Sequence, residues 1–299
     1  MIKLVTIDLD GTLFDNEKNI SEENKLAIKK CHELGVKIVI ATGRPEKGVL
    51  PTLEALGLTT KDDYVIIYNG AKIMNVGTHE LIFSSTISGK MVRKLYDESL
   101  KHGVNIHAFR DNDELITPKH NPYTDVESKI NHVPDVLFDF NNIKDDDVFI
   151  KAMLVDSDEN ITRTIPNVDK YFTDNYSMNR SSKIFLEFLN KNSDKGKALV
   201  RLSEYLNIDI KDTMAIGDAG NDLPMILASG TGVVMENAFP EIKKHGDFIT
   251  KSNLESGVAY ALNKLILEKI EDWSSIFFIL SFLILLLHYI HHHVLLYQL

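Results

Sequence analysis

The sequence predicts an α/β protein in which a doubly wound parallel sheet is interrupted by an inserted α+β unit. Over residues 2–70, short apolar runs alternate with amphipathic helical stretches, which is the pattern of a parallel sheet with crossover helices. The alternation breaks at about residue 82 and resumes at Lys195. With 299 residues, the chain is long enough for about two domains.

Each element of the first stretch has a local signal. Ser21 is a suitable N-cap for a helix whose apolar residues recur at helical spacing until Gly35. Pro45 is typical of the start of a second helix. The apolar runs around these helices are rich in β-branched residues, which favours buried strands. The predicted order is strand 2–7, helix 21–35, strand 36–41, a helix from 45 through 56, and strand 64–68.

The middle of the chain has a different pattern from its two ends. Its predicted elements are a helix near 89–102, a strand at 104–109, an acidic loop at 145–147, and strands near 149–155 and 184–188. A helix at 195–206, a strand at 213–216 and shorter elements up to 267 follow. We therefore predict a discontinuous core domain of residues 1–81 and 188–270, a cap domain of residues 82–187, and a hydrophobic tail of residues 273–299.

The net charge and the cysteine content disfavour some classes of protein function for this chain and exclude others. Lys and Arg number 33 against 43 Asp and Glu, and the net charge of −10 disfavours a nucleic-acid partner. The single cysteine, Cys31, excludes an intramolecular disulfide and is typical of a reducing compartment. No signal peptide follows Met1, so we expect a cytoplasmic catalytic domain. The sequence leaves the oligomeric state open.

The tail of residues 273–299 contains no Asp, Glu, Lys or Arg. As a helix, residues 276–290 would extend about 22 Å, short of the roughly 30 Å of a bilayer core. Extension to residue 299 would place three histidines inside the apolar stretch. Membrane contact through residues 276–299 therefore remains open, beside an extra helix that covers an apolar groove and a segment foreign to the fold.

Asp8 and Asp10 form the first candidate site, at the end of the first predicted strand. Gly11 lets the chain turn there, so that both carboxylates can face one ligand. Two close carboxylates suit a divalent cation, or a division between nucleophile and acid/base. A solvated turn at a strand end would give the same pattern, so this motif alone leaves both interpretations open.

Asp218 and Asp222 form the second candidate site, just after the apolar strand at 213–216. A turn with two glycines, an asparagine and two carboxylates suggests backbone amides and oxygen ligands around a small ion. The alternative is a helix cap, with Asp222 as the N-cap before Leu223.

Thr42, Arg44 and Lys195 add a hydroxyl, a fork of donors and a point cation. With the four carboxylates, they make up what a phosphoryl group beside Mg²⁺ requires: donors for its oxygens, a cation against charge repulsion and an in-line nucleophile. Any one of these residues alone is more typical of a surface role.

Taken together, these segments resemble the haloacid dehalogenase superfamily, because they occur in its order and at its spacings. The resemblance covers about residues 1–268. It is to the Cof-type branch (subfamily IIB) of Mg²⁺-dependent phosphatases, which implies a Rossmann-like core with an inserted α/β cap of the C2 type. The matching segments are Asp8-Leu9-Asp10-Gly11-Thr12-Leu13, Ala41-Thr42-Gly43-Arg44, Asn69-Gly70-Ala71, Asp194-Lys195-Gly196 and Gly217-Asp218-Ala219-Gly220-Asn221-Asp222.

The resemblance implies a role for each matched residue. Asp8 would be the nucleophile that forms an aspartyl-phosphate, and Asp10 the general acid and base. Thr42 and Lys195 would hold the phosphoryl oxygens. The implied Mg²⁺ ligands are Asp8, the backbone carbonyl of Asp10 and Asp218, with Asp222 supporting the waters of the metal. The implied residues of the substrate side are Thr12, which would stabilise the motif turn, and Arg44, Asn69, Gly70 and Asn221.

The resulting hypothesis is an Mg²⁺-dependent phosphomonoesterase whose partner is a small, sugar-like phosphate ester. Because Asp10 must be protonated when it meets the leaving oxygen, we expect its neighbours to raise its pKa. Two alternatives remain. One is a phosphomutase of the same superfamily, which would need clustered cations in the cap for a second phosphate. The other is a membrane-tethered, non-catalytic binder of phosphometabolites.

Overall fold

Two β-sheets organise residues 1–270, the part of the chain that the computed structural model describes. In chain order, the strands are β1 (Leu4–Ile7), β2 (Lys37–Ala41), β3 (Tyr64–Ile67), β4 (Lys72–Asn75), β5 (Leu81–Ser84), β6 (Ile87–Ser88), β7 (Asn105–Arg110), β8 (Leu115–Thr117), β9 (Asp135–Leu137), β10 (Val148–Val155), β11 (Tyr176–Ser182), β12 (Phe185–Asn190), β13 (Thr213–Gly217), β14 (Thr231–Val234) and β15 (Phe248–Ile249). The first sheet has the order β15-β14-β13-β1-β2-β3-β4-β5. The second has the order β11-β12-β10-β7-β8-β9, with β6 paired to β10.

The helices cover both faces of the first sheet and the outer face of the second, and one helix also lies against the second sheet on the face toward the first. In chain order they are α1 (Glu22–Glu33), α2 (Glu46–Leu56), α3 (Gly89–His102), α4 (Pro122–Asn131), α5 (Asp158–Thr164), α6 (Lys170–Asn175), α7 (Lys195–Tyr205), α8 (Leu223–Ala228), α9 (Pro240–Lys243) and α10 (Gly257–Leu262). Ser21 caps α1 by accepting a hydrogen bond from the backbone N–H of Asn24, which confirms the predicted helix start.

The first sheet is parallel from β15 to β3 and is buried on both faces. Successive side chains of a strand point to opposite faces. In β2, Ile38 and Ile40 therefore pack in one cluster with Ile28 of α1, while Val39 packs in another with Leu199 of α7. Helices on both faces explain why the strands are continuous apolar runs, and they confirm the predicted doubly wound architecture.

The second sheet turns one face to α3 and α6 and the other toward the first sheet. Leu186 and Phe188 of β12 pack in the cluster that includes residues of α3 and α6. Their neighbours Phe185 and Leu189 belong to the large cluster that includes the first sheet. Glu187 alternates with Leu186 and Phe188, so its carboxylate lies on the face toward the first sheet.

The two sheets are joined beside the end of β3. The phenol of Tyr68 donates a hydrogen bond to Asp113 at 3.0 Å, and the ammonium of Lys72 lies 2.8 Å from the same carboxylate. The ring of Tyr68 also meets that of Phe109 edge-on, with 5.6 Å between the centroids. Because Asp113 lies in the turn between β7 and β8, these contacts hold the second sheet against the first.

The elements that were predicted with bounds lie within one or two residues of those bounds, and the helix predicted near 89–102 is α3. In the second sheet, β8, β9 and β11 and the helices α4, α5 and α6 were not predicted. The antiparallel edge strands β4 and β5 were not predicted. Among residues 1–270, no helix combines the length and apolar character needed to span a bilayer. The predicted tail at 273–299 lies outside the described residues, so its alternatives stay predictions.

The loop after β3 depends on a run of left-handed residues, Tyr68, Asn69 and Gly70. At Gly70 φ is +90°, and a β-carbon there would lie 2.3 Å from the carbonyl oxygen of Asp194. We expect Gly70→Ala to lower the free energy of unfolding by about 2 to 4 kcal/mol, from left-handed strain plus overpacking.

Gly57 supplies the matched control, because it is also left-handed and a β-carbon at this position would have no atom within 4 Å. Gly57→Ala should cost only the conformational part, about 1 kcal/mol. Urea unfolding of the two variants measures the difference. Equal losses would show that the approach to Asp194 is not a close one.

Candidate active site

Loops after four parallel strands meet at one edge of the first sheet. They follow β1, β2, β3 and β13, and the start of α7 joins them. Ligands of doubly wound sheets collect at this edge. A cavity of about 580 Å³ lies between this edge and the second sheet. Of the residues predicted from the sequence, Asp8, Asp10, Thr42, Arg44, Asn69 and Asn221 line it, whereas Thr12, Gly70, Lys195, Asp218 and Asp222 do not.

Lys195 is the central buried charge of the site. As the first residue of α7 it is fully buried, and its ammonium lies 2.5 Å from Asp8 and 2.6 Å from Asp222. Burial lowers the pKa of Lys195, but the two carboxylates outweigh burial and raise it above its usual value. The side chain is therefore a cation held directly behind Asp8.

Asp222 is held by backbone amides as well as by Lys195. One of its oxygens accepts hydrogen bonds from the N–H groups of Asp218 and Ala219, at 3.0 Å each. Asp222 does precede α8, yet its side chain makes no capping bond to that helix. Of the two interpretations that the sequence left open, the helix cap is therefore wrong for this side chain.

Asp8, Asp218 and Asp222 offer carboxylate oxygens that all lie within 4.8 Å of one another. Thr12 donates to one oxygen of Asp218 at 2.8 Å, and Lys195 to one oxygen of Asp8. Within residues 1–270, the second oxygen of Asp8 and that of Asp218 accept no hydrogen bond. A group of three carboxylates this close together fits a hard divalent cation, which prefers oxygen ligands.

The pKa values of Asp8 and Asp218 are raised, which indicates that the ionised cluster has too little positive charge around it. Burial raises the pKa of Asp8 well above its usual range, and Asp222 raises it further, although Lys195 opposes both effects. Burial and then Asp222 raise the pKa of Asp218 to about 6. Three carboxylates share one ammonium, so a bound cation would favour their ionised forms.

The pKa of Asp10 is lowered, whereas the sequence analysis predicts a raised value. The guanidinium of Arg44 donates to its carboxylate at 2.9 Å, and the ammonium of Lys18 at 2.5 Å. Burial alone would raise the pKa of Asp10, but these two cations outweigh burial and hold it below its usual value. The expectation of a raised pKa is therefore wrong for this arrangement, because the sequence showed neither Lys18 nor the pairing with Arg44.

Thr42 and Gly70 have local structural contacts. The hydroxyl of Thr42 is buried at the cavity and accepts a hydrogen bond from the backbone N–H of Arg44 at 3.2 Å. Gly70 packs against the carbonyl of Asp194, the residue that caps α7 and precedes Lys195. Gly70 thus supports the position of the lysine and does not line the cavity.

The opposite wall of the cavity carries charged residues that sequence reasoning missed. Asn221 donates to Asn69 at 3.1 Å, and Asn69 donates to Glu187 of β12 at 3.0 Å. Lys151 of β10 lies 3.2 Å from both Glu187 and Glu127. A signal was available, because Lys151 and Glu187 are single charges inside otherwise apolar strands, where unpaired charges are rare.

Both the sequence and the fold of this chain are similar to those of known proteins. The family model of the haloacid dehalogenase-like hydrolases matches residues 5–262. YxeH of Bacillus subtilis is 39% identical over 271 residues, covering 90% of this chain and 100% of that protein. The 5-amino-6-(5-phospho-D-ribitylamino)uracil phosphatase YwtE of the same organism is 31% identical, covering 89% and 98%. The solved structure of a sugar phosphatase of subclass IIB is 25% identical, covers 88% and 98%, and has a TM-score of 0.72.

The raised pKa of Asp218 predicts a pH dependence of stability in the metal-free protein. The folded state binds this proton more tightly than the unfolded state, whose pKa is 3.8. The stabilisation is present below that value and is lost as pH rises through about 6. Asp218→Asn cannot titrate, so its melting temperature should fall less over this window.

Thermal unfolding in chelator from about pH 4 to about pH 7 compares the two proteins. Asp62→Asn, which changes an exposed carboxylate outside the cavity, is the control and should follow the wild type. Parallel curves for the wild type and Asp218→Asn would contradict the raised pKa.

Proposed function

The chain belongs to the haloacid dehalogenase-like hydrolases, and we propose that it hydrolyses small, sugar-like phosphate monoesters through an aspartyl-phosphate on Asp8. It is a phosphatase of that superfamily. The observation that carries the proposal is the position of Asp8, which lines the cavity with Lys195 on its buried side. One oxygen of Asp8 is held by the lysine, and the other is left for attack.

In the first step, the free oxygen of Asp8 attacks phosphorus, and the bond from phosphorus to the leaving oxygen breaks. Asp10 donates a proton to that oxygen, which departs as an alcohol. In the second step, Asp10 takes a proton from water as the water oxygen attacks phosphorus. The bond between Asp8 and phosphorus then breaks, and inorganic phosphate is released. Lys195 offsets the repulsion between the carboxylate and the phosphate dianion.

Asp10 has to change protonation state in both steps, although Arg44 and Lys18 favour its ionised form. We infer that a bound phosphate competes for these cations, since Arg44 and Lys18 line the same cavity. The loss of their hydrogen bonds would raise the pKa of Asp10 when the ester is in place. The residues that hold Asp10 in the free protein would thus become phosphate ligands.

A metal site fits the acidic cluster, and we propose Mg²⁺ as the ion. Asp8, the backbone carbonyl of Asp10, and Asp218 would hold it, and Asp222 would act through its waters, because the oxygens of Asp222 are already taken by Lys195 and two amides. The bound ion would supply electrostatic stabilisation of the phosphoryl oxygens. An all-oxygen donor set is the kind that Mg²⁺ prefers.

Substrate choice is assigned to the inserted part of the chain. We propose that residues 82–187 form a cap over a core of residues 1–81 and 188–270, because the second sheet supplies the wall of the cavity opposite Asp8. The strands β5 and β12 cross these bounds by three residues each. A leaving group attached to a phosphate at Asp8 would extend toward that wall. The sugar phosphatase of similar structure supports a sugar-like leaving group.

Substitution of the two motif aspartates separates their roles. Asp8→Asn should abolish turnover and aspartyl-phosphate trapping, because the nucleophilic oxygen is lost. Asp10→Asn should still be phosphorylated on Asp8 but should turn over about 10²- to 10⁴-fold more slowly. Phosphate release and trapping of the acyl-phosphate measure both effects, with Asp62→Asn as the exposed control. Near-normal turnover by Asp8→Asn would overturn the mechanism.

Metal removal gives a second test of the proposal. Activity should fall by about 100-fold or more in excess chelator and return with Mg²⁺. Ca²⁺ should bind but inhibit, since it is larger and takes more oxygen ligands, which would draw Asp8 into bidentate coordination. Full activity in chelator, with no metal detected in the protein, would rule out the proposed cofactor.

A further inference from the structure

A second cavity adjoins the catalytic one, and we call it the side chamber. Its volume is about 450 Å³, and it is lined by residues of the turn after β1, of α1 and of α2, and by His132 at the end of α4. Three residues line both cavities, namely Lys18, Arg44 and His132. Asp8 does not line the side chamber, so the two cavities are separate spaces with one wall in common.

The charged residues of the side chamber are all of one sign. Its ionisable lining residues are Lys18, Lys25, Arg44 and His132, and no Asp or Glu among residues 1–270 lines it. The chain as a whole has a net charge of −10, so this lining differs from the rest of the molecule. A concave site lined by one sign of charge attracts ions of the opposite sign. The expected occupant is therefore an anion.

Two of these cations lie side by side. The ammonium of Lys18 and the guanidinium of Arg44 donate to the same oxygen of Asp10, at 2.5 and 2.9 Å. One carboxylate thus faces two cations, and one positive charge is in excess. The third cation, Lys25, pairs with Glu22, whose side chain is 85% exposed. Exposed ion pairs contribute little to stability, so an anion in the side chamber can replace that partner.

The turn that carries Lys18 is strained. Its φ is +66°, which is unfavourable for a residue with a β-carbon. Asp15 holds the turn in this form, because its carboxylate accepts hydrogen bonds from the backbone N–H groups of Glu17 and Asn19 at 2.8 Å each. Strained backbone of this kind is concentrated at functional sites. A ligand for the side chain of Lys18 would account for the strain.

A hydroxyl group on the wall of the side chamber has no partner in the protein. Thr52 of α2 is 7% exposed and lines the side chamber but not the catalytic cavity. Within residues 1–270, its hydroxyl makes no hydrogen bond. A hydroxyl can donate to an anionic oxygen. The wall therefore offers a neutral donor beside the cations.

We infer that the side chamber binds a phosphate dianion, held by Lys18, Lys25 and Arg44 with Thr52 as a further donor. The inference goes beyond the proposed hydrolysis, which needs only the phosphate position at Asp8. Because Lys18 and Arg44 line both cavities, a phosphate in the side chamber competes with the phosphoryl group of the ester for these two cations. The dianion has two sources, which are released inorganic phosphate and the phosphoryl group of an incoming ester.

The side chamber is not the second phosphate site that a phosphomutase would need. Such a site requires clustered cations in the cap. Lys18, Lys25 and Arg44 lie outside residues 82–187, and only His132 lies within them. A phosphate in the side chamber therefore does not favour that alternative.

Binding of inorganic phosphate to the full-length protein in excess chelator tests the inference. Without a metal, three carboxylates share one ammonium at Asp8, so the catalytic cavity repels phosphate while the side chamber keeps its cations. The variants are Lys25→Gln and Thr52→Val, which change only the side chamber. The control is Lys29→Gln, because Lys29 also lies on α1 and pairs with a glutamate at helical spacing, but lines neither cavity. Equilibrium dialysis at constant ionic strength gives the dissociation constants.

We expect the wild type and Lys29→Gln to bind one phosphate per chain in chelator with equal affinity. Lys25→Gln should bind it about 10-fold more weakly, and Thr52→Val several-fold more weakly. No binding by the wild type in chelator would overturn the inference. Equal affinities of the wild type and the two side-chamber variants would do the same.

Turnover of p-nitrophenyl phosphate with Mg²⁺ distinguishes the two sources of the dianion. If released phosphate occupies the side chamber, Lys25→Gln should raise the Ki of inorganic phosphate about 10-fold and leave KM unchanged. If the incoming ester binds there too, KM should also rise. An unchanged Ki together with an unchanged KM would overturn the competition for Lys18 and Arg44. A wild type that releases no phosphate would overturn the proposed function alone, since the binding experiment does not depend on turnover.

Discussion

A buried ammonium group between two carboxylates sets the arrangement of the active site. Lys195 is fully buried and neutralises Asp8 on one side and Asp222 on the other. Without that cation, burying two carboxylates this close together would be strongly unfavourable. The position of the lysine in turn depends on the first turn of α7, which packs against the left-handed loop at Gly70. The conformation of the loop at Gly70 therefore helps to fix the position of the buried lysine.

The parallel sheet explains why residues that are far apart in the chain meet here. The strands β1 and β13 are adjacent and parallel, so the loops that follow them end at the same edge. Thr12 and Asp218 are 206 residues apart but share a hydrogen bond of 2.8 Å. A cluster with three carboxylates and one ammonium results, and its raised pKa values indicate room for another positive charge.

The second sheet gives this reaction centre its selectivity in our proposal. Strand alternation turns Leu186 and Phe188 of β12 toward α3 and α6 and leaves Glu187 facing the cavity. The link from Glu187 through Asn69 to Asn221 joins this wall to the loop that carries the acidic cluster. One wall of the cavity thus carries the chemistry, and the other distinguishes between leaving groups.

The sequence by itself determined the doubly wound core and the polar residues at the ends of its strands, because apolar periodicity and polar strand ends are local signals. It could not show that Lys18 and Arg44 pair with Asp10, or that Lys151 and Glu187 meet. Such pairs join residues from different elements, and their protonation depends on burial and neighbouring charge. Only the tertiary structure decides which distant charges share one low-dielectric cavity, and therefore what each of them can do.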